Sequence, residues 1–220
     1  MADWTTKINT SVPNPARVYD YLLGGKDNFP ADREVAEQLL AIAPDARVVY
    51  VDNDAMVVTH GRALLAGDNT VALQADLREP EVILGHPEVR ELIDFDQPIA
   101  LLLMAILHFL PDEEDPWGIV ARFRDALPTG SYLAISHGTR DIPVRPDMSA
   151  EEMTEMGERV EQLYQLTTAS LVTRTRAQVE RFFDGLDLLD PGLVEIQVWR
   201  PDNRSSMLPG GFYGGVGRKP

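Results

Sequence analysis

The sequence predicts an α/β fold built on a mostly parallel sheet, and three observations carry that prediction. Strand-like and helix-like segments alternate as β-α-β-α-β-α-β between residues 48 and 136. The run "PIALLLMAILHF" has no polar alternation, as expected of a strand buried on both faces of a parallel sheet. The chain then closes with the alternating "LVEIQVWRPD" and the glycine-rich "GGFYGGVGRKP", which suit an antiparallel hairpin with a long connection.

Taken in order, "SVPNPARVYDYLLGGKDNFPADREVAEQLLAIAP" opens with turn residues and continues as a helix. Val35, Leu39 and Ile42 fall at helical spacing, and Asp32 and Glu34 favour its start. A strand follows at about 48–52, where "ARVVYVDND" ends in two aspartates. Asp54 is placed to cap a helix that stops before Gly67. "NTVALQAD" is a short strand, and "REPEVILGHPEVRELIDF" reads as a helix with Pro80 in its first turn. After the apolar run, "DPWGIVARFRDALPTG" is a helix capped by Asp115 with Pro116 at its first position, and "SYLAISH" is the next strand. Beyond residue 140 two capping boxes appear, Ser149 with Glu152 and Thr175 with Gln178. In the first of these helices Met153, Met156, Val160 and Leu163 share one face, expected to pack on the core. The organisation expected is one domain over 1–220. It comprises an N-terminal helical cap (1–45), an α/β core (46–140), a helical insertion (141–190) and a C-terminal hairpin (191–220).

Composition narrows the function. Against 35 Asp+Glu stand 20 Lys+Arg, a net charge of -15. That balance disfavours nucleic acid and anionic membranes as partners, since both demand basic patches. The absence of cysteine excludes disulfides, thiolate metal sites and cysteine nucleophiles. "MADWTTKINT" does not read as a signal peptide, and the longest apolar stretch is too short to span a bilayer. The expectation is a soluble cytoplasmic protein with a small-molecule substrate and a possible homo-oligomeric state.

Ligands of open α/β sheets bind beyond the carboxyl ends of the strands. The strand-end residues are Asp52, Asn53 and Asp54; Asp76 and Leu77; Ala105, Leu107 and His108; Ser136 and His137. Asp52 fits an acid that accepts both hydroxyl hydrogens of a ribose. Asp76 suits an exocyclic amino group such as that of adenine, with Leu77 offering an apolar edge to the base. Beside these readings stand plainer ones: Asp54 as a helix cap, Asp76 and Asn53 as satisfiers of turn backbone, and His108 as a hydrogen-bonded residue closing its strand. A phosphate-binding glycine turn between a strand and a helix is missing. Gly24 and Gly25 do not follow a buried strand, and the C-terminal glycines are better read as a strand or bulge. The histidines at 60, 86, 108 and 137 lack metal-ligand spacing, no G-x-S-x-G elbow is present, and "PDEEDP" reads as a solvated helix start.

The blocks "ARVYDYLLGGKDNFPADREVAEQLL", "ARVVYVDNDAMVVTHGRALLAG", "LQADLREPEVIL", "PIALLLMAILHFLPDEEDPWGIVARFRDALPTGSYLAISH" and "YGGVGRKP" cover nearly the whole chain. Together they resemble the S-adenosyl methyltransferase family common in actinobacteria, formerly a domain of unknown function. The resemblance implies a Rossmann-like class I methyltransferase sheet, mostly parallel with a C-terminal antiparallel hairpin, and S-adenosylmethionine as cofactor. It further implies that Asp52 and Asn53 contact the ribose, that Asp76 and Leu77 surround the adenine, and that Ala105 to His108 wall the methionine part. Tyr21, Lys26 and Asn28, in "YDYLLGGKDN", would close over cofactor or substrate. Such proteins carry a further helix, a first strand ending in an acid and a glycine-containing loop before the strand equivalent to "ARVVYVDND". This chain joins "AIAPD" almost directly to it. The sheet is therefore expected to lack its first strand, which normally lies at the centre between the second and fourth.

Two functions follow as expectations. The first is an S-adenosylmethionine-dependent methyltransferase acting on a small molecule, with His108 or Tyr19 available to remove a proton if the acceptor requires it. The second is a non-catalytic binding or assembly module on the same scaffold, favoured by the missing segment. A nicotinamide-dependent oxidoreductase would share the ribose acid but need the absent pyrophosphate loop.

Overall fold

Local turn and cap chemistry sets most element boundaries. The computed structural model describes residues 28–42, 46–65, 67–141, 149–164, 166, 170–199 and 211–220, with residues 10 and 13. The chain divides into two compact units, Met1–Ile93 and Asp94–Pro220.

The first unit begins with helix α1 (Pro30–Ile42). Asp32 holds its start as expected, the carboxylate accepting from the Phe29 amide at 2.9 Å. Strand β1 (Val48–Asp52) leads into helix α2 (Ala55–Leu64), capped by Asp54, whose side chain accepts from the Met56 amide at 2.7 Å. Strand β2 (Thr70–Gln74) runs parallel to β1, with Val48 opposite Thr70 and Asp52 opposite Gln74. The long helix read over "REPEVILGHPEVRELIDF" is instead two short ones, α3 (Pro80–Leu84) and α4 (Pro87–Leu92). The break lies at Gly85-His86, because Pro87 has no amide to continue the helix and pushes His86 to extended backbone (φ -63, ψ 132). Val58, Ala72, Leu73, Ile83 and Val89 form the unit's buried apolar set.

The second unit opens with strand β3 (Ala100–Met104), the start of the uninterrupted apolar run. That run is not all strand: Ala105 turns to positive φ (52°) and Leu107–Phe109 form a single 3₁₀ turn. A second 3₁₀ turn, Asp112–Glu114, leads to helix α5 (Pro116–Ala126), capped as predicted by Asp115 with Pro116 at its first position. Strand β4 (Tyr132–Gly138) pairs parallel to β3, Leu102 opposite Ala134. Helix α6 (Ala150–Tyr164) carries the Ser149–Glu152 capping box, closed by bonds of 2.7 and 3.2 Å. Helix α7 (Arg176–Glu180) carries the Thr175–Gln178 box. On α6, Leu163 is 57% exposed, so it does not pack as its spacing suggested; the side chains of Met153, Met156 and Val160 lie outside the described ones.

The C-terminal strands are shorter and differently placed than the alternating pattern implied. Strands β5 (Asp187–Leu188) and β6 (Val194–Glu195) are two residues each, and Ile196–Val198 already coil into a 3₁₀ turn. Strand β7 (Phe212–Arg218) is antiparallel to all its partners: β4 on one side, β5 and β6 on the other. The sheet order is β3-β4-β7-β5, a mixed sheet with parallel β3-β4 and antiparallel neighbours. Glycine recurs in β7 because neighbouring side chains press on the sheet. A Cβ at Gly215 would lie 3.1 Å from the Phe183 ring and one at Gly217 3.0 Å from Leu186. Lys219, just beyond, donates to the carbonyl oxygens of Arg124, Asp125 and Leu127, tying off the end of α5.

Among the described residues no strand precedes β1. Among the same described residues β1 pairs with β2 alone and β3 with β4 alone, so each is the edge of its own sheet there. Both edges show the consequence: Val48, Tyr50 and Val51 are 36–41% exposed, while Leu102 and Met104 are 65% and 55% exposed.

Candidate functional site

In the first unit the carboxyl ends of β1 and β2 bring Asp52, Asn53, Asp76 and Leu77 together. The Ala75 amide donates to the Asp52 carbonyl oxygen at 3.0 Å, which carries the ladder past the strand ends. Asp52 is half-buried, and its Oδ1 accepts from the Asp54 amide at 2.8 Å. That bond fixes the carboxylate at the strand end, while Oδ2 takes no hydrogen bond among the described residues. Asn53 is exposed, and its carbonyl oxygen accepts from Gln74 Nε2 at 3.3 Å. Asp76 is the more committed acid. Oδ1 accepts from the Arg78 amide at 2.9 Å, and both oxygens face Arg78 Nη1 at 3.2 and 3.3 Å. A base amino group would share this carboxylate with an arginine. Leu77 is half-buried beside it.

Asn28 is buried at the start of α1, where Oδ1 accepts from Arg33 Nε at 2.7 Å. It therefore has a structural duty in the helix start. Tyr19, Tyr21, Lys26, Gly24 and Gly25 lie outside the described residues.

In the second unit the carboxyl ends of β3 and β4 carry Ala105, His108, Ser136 and His137. Ala105 is exposed in the left-handed region, which costs a non-glycine residue roughly 1–2 kcal/mol. Its amide is held by both the carbonyl oxygen and Oγ of Ser136, at 3.1 and 2.8 Å. Strained backbone fixed by its surroundings is the kind of feature that clusters at ligand sites. His108 is 3% exposed, and its Nδ1 accepts from the Gly138 amide at 3.3 Å. Phe109, His137 and Phe212 meet its ring edge-on at centroid distances of 4.4, 5.6 and 5.6 Å.

The organiser of this end is Arg174, only 1% exposed. Its Nη1 donates to the Leu107 carbonyl at 3.0 Å and faces His137 Nε2 at 2.9 Å. Its Nη2 donates to the Leu110 carbonyl at 2.7 Å and to Asp112 Oδ1 at 2.6 Å. The backbone around it is bound to the same segments: the Val172 amide donates to the His108 carbonyl and the Arg174 amide to the Gly138 carbonyl. Sequence reasoning missed Arg174, because "TRTR" carries no motif and every partner lies 37 to 67 residues upstream.

Protonation at this end is set by fixed partners. The Gly138 carbonyl, which can only accept, lies 2.7 Å from His137 Nδ1, and Arg174, which can only donate, faces Nε2. His137 is thus neutral with its proton on Nδ1. Burial, above all, lowers its pKa to about 4 against the opposing bond to Gly138, with Arg174 adding to the lowering. Burial and then the Arg174 charge lower His108 to about 4 as well. Nearby, Tyr213 donates to Asp141 Oδ2 at 3.3 Å, and burial chiefly raises its pKa. Among the described residues no cluster of His, Asp or Glu could hold a metal ion, and no helix is long and apolar enough to cross a membrane.

Each strand-end group presents chemistry suited to a nucleoside-linked ligand: an oriented carboxylate with an open oxygen beside an apolar edge in one unit, a neutral imidazole beside a strained turn in the other. Asp52 offers an oriented hydrogen-bond acceptor at the end of β1, while Asp76 already has its arginine.

Known proteins agree with this picture. A DUF574 family protein from Streptomyces avermitilis superposes with a TM-score of 0.73 at 33% identity, covering 96% of this chain and 99% of that one. A candidate methyltransferase from Thermobifida fusca gives 0.69 at 34%, with 96% of each chain covered. A chain from the complex of the Haloferax volcanii Trm112 methyltransferase activator with its candidate methyltransferase shares the fold at 15% identity (TM-score 0.52), over 85% of this chain and 78% of that one. No curated protein matches the chain. The family described as S-adenosyl methyltransferase, whose cofactor is S-adenosylmethionine, matches in two pieces, residues 1–42 and 39–220. The pieces overlap at residues 39–42, the last turn of α1, ahead of β1. With the Rossmann-like fold and the match over its whole length in agreement, the chain belongs to the S-adenosyl methyltransferase family.

Proposed function

We infer that the protein is an active S-adenosylmethionine-dependent methyltransferase of the cytoplasm, a single methyltransferase-like domain over residues 1–220 whose acceptor is a small molecule. The observation that carries this reading is the state of Asp52. One oxygen is spent on orienting the carboxylate and the other takes no hydrogen bond among the described residues, at the end of a parallel strand where a ribose would seat.

When bound, the cofactor supplies a methyl group activated by its sulfonium, so the residues need only align and shield it. Asp52 accepts the ribose hydroxyl hydrogens, and Asn53 borders the same sugar. Leu77 lies along the base, whose amino group shares Asp76 with Arg78. In the second unit the bonds from Ser136 and Gly138 hold Ala105 and His108 in place beyond the end of β3.

Calorimetric titration with S-adenosylmethionine and S-adenosylhomocysteine tests this. Both are expected to bind, and Asp52→Ala is expected to weaken them by about tenfold or more, the loss of a charged hydrogen-bond acceptor being on the order of 1.5–3 kcal/mol. A flat titration of folded protein would refute the reading and leave a binding or assembly module.

A further inference from the structure

The polar groups at the carboxyl end of β4 are all committed to neighbours, with one exception. His137 donates through Nδ1 to the Gly138 carbonyl and accepts through Nε2 from Arg174. Arg174 is used up on Leu107, Leu110, Asp112 and His137. His108 receives the Gly138 amide at Nδ1. A backbone amide cannot accept, so Nδ1 must present its lone pair, and the proton of the neutral ring sits on Nε2. That Nε2–H has no partner among the described residues. Nor is it sealed from solvent, since His86 Nδ1 is the one described side-chain atom both fully buried and unpartnered. The imidazole is 3% exposed, and the Phe109 and Phe212 rings meet it edge-on.

The geometry points to His108 as a fixed, neutral hydrogen-bond donor whose Nε2–H binds an oxygen of the methyl-accepting molecule: a carbonyl, carboxylate or phenolate carried on a flat apolar body. The identity of that molecule as methyl acceptor rests on the methyltransferase reading above; the donor itself does not. To act as a base, the ring would have to give up the Gly138 amide at Nδ1 or shed its only proton at Nε2. Both run against the fixed partners, and the low pKa that burial imposes agrees with them. His108 therefore reads and polarises an oxygen, and leaves proton removal to solvent or to the substrate's own acidity. The two neighbouring histidines hold opposite tautomers, His137 protonated on Nδ1 and His108 on Nε2, and the single residue Gly138 dictates both through its carbonyl and its amide.

Long-range proton–nitrogen spectra of the labelled full chain test this directly, with benzoate as an oxygen-bearing flat probe and benzylamine as its cationic counterpart. The expected result is a protonated Nε2 and bare Nδ1 for His108 throughout pH 5.5–8, a saturable shift of Nε2–H on adding benzoate, and no shift with benzylamine. His108→Phe, which keeps the aromatic packing, is expected to weaken benzoate by about tenfold or more, as for loss of one hydrogen bond to a charged group. A proton found on Nδ1, titration near 6.5, or a benzoate-insensitive Nε2–H in the wild-type chain would overturn the proposal whether or not the variant folds. Titrating S-adenosylmethionine into the same sample separates the two readings. The predicted tautomer and benzoate shift without cofactor binding uphold the donor and reject the methyltransferase. Cofactor binding with the opposite tautomer does the reverse.

Discussion

Replacing Arg174 with methionine keeps most of the apolar stem and removes every hydrogen bond at the head. Two buried acceptors lose their donor, the Leu110 carbonyl at 2.7 Å and His137 Nε2 at 2.9 Å, while the Leu107 carbonyl loses a bond of 3.0 Å but keeps the Leu110 amide at 3.2 Å. A buried acceptor left unpaired costs roughly 1–3 kcal/mol, and His137 can recover part of that by shifting its proton. The Asp112 contact adds little, because that carboxylate is 48% exposed and rehydrates. Stacking of the guanidinium over Trp117, 5.1 Å from its ring centre, is lost as well. The sum is about 3–5 kcal/mol, the range found when one partner of a buried charged network is removed. Urea unfolding followed by tryptophan fluorescence is the assay, since Trp117 and Trp199 both belong to the Asp94–Pro220 unit. With a slope of about 2 kcal/mol/M the midpoint should fall by about 2 M. A midpoint within about 0.3 M of wild type, on a scale where that slope makes it ~0.6 kcal/mol, would refute Arg174 as the organiser of this end.

Two further outcomes follow from the same end of β4. His108 and His137, each lowered to about 4, stay neutral in the folded chain while an unfolded histidine takes up a proton near 6.5. Below 6.5 the unfolded state therefore binds more protons, so stability is full above that pH and is lost as pH falls towards 4. Near pH 5.5 the slope should reach about 1.2 kcal/mol per pH unit for each histidine, and His137→Gln should remove roughly half of their joint contribution in urea midpoints measured from pH 7 to 5. Ala105→Gly should raise stability by about 0.5–1 kcal/mol, because relief of the left-handed strain at φ 52° exceeds the entropy glycine loses on folding; a lower melting temperature would count against strain there.

Where the chain's physics is local, the sequence was legible. Asp54, Asp115, Ser149 with Glu152 and Thr175 with Gln178 cap as read, because a cap is a bond between residues two or three apart. The parallel pairings β1-β2 and β3-β4 followed from the alternation of strand and helix segments. Pro87 defeated the single long helix because apolar spacing survives a break that the backbone does not. The placing of β7 between β4 and β5 is a pairing across 80 residues (Tyr132 with Arg218 among them), and no local pattern encodes which edge a returning strand selects. The candidate site divides along the same line. Strand-end positions pointed to Asp52 and His108. They gave no sign that Arg78 already holds Asp76, nor that Gly138 fixes the tautomer of His108.

The unguarded flank of β3 has a colloidal consequence. From Gln97 to Pro111 the chain carries no charged side chain, and Leu102 and Met104 stand open on a strand that pairs, among the described residues, with β4 alone. What keeps two molecules from zipping together there is the long-range repulsion of a net charge of -15. Screening shortens that repulsion to about 10 Å in ~0.1 M salt and to about 3 Å in ~1 M. Concentrated brine therefore strips away the protection while leaving the adhesive strip intact, so this protein keeps best in dilute buffer.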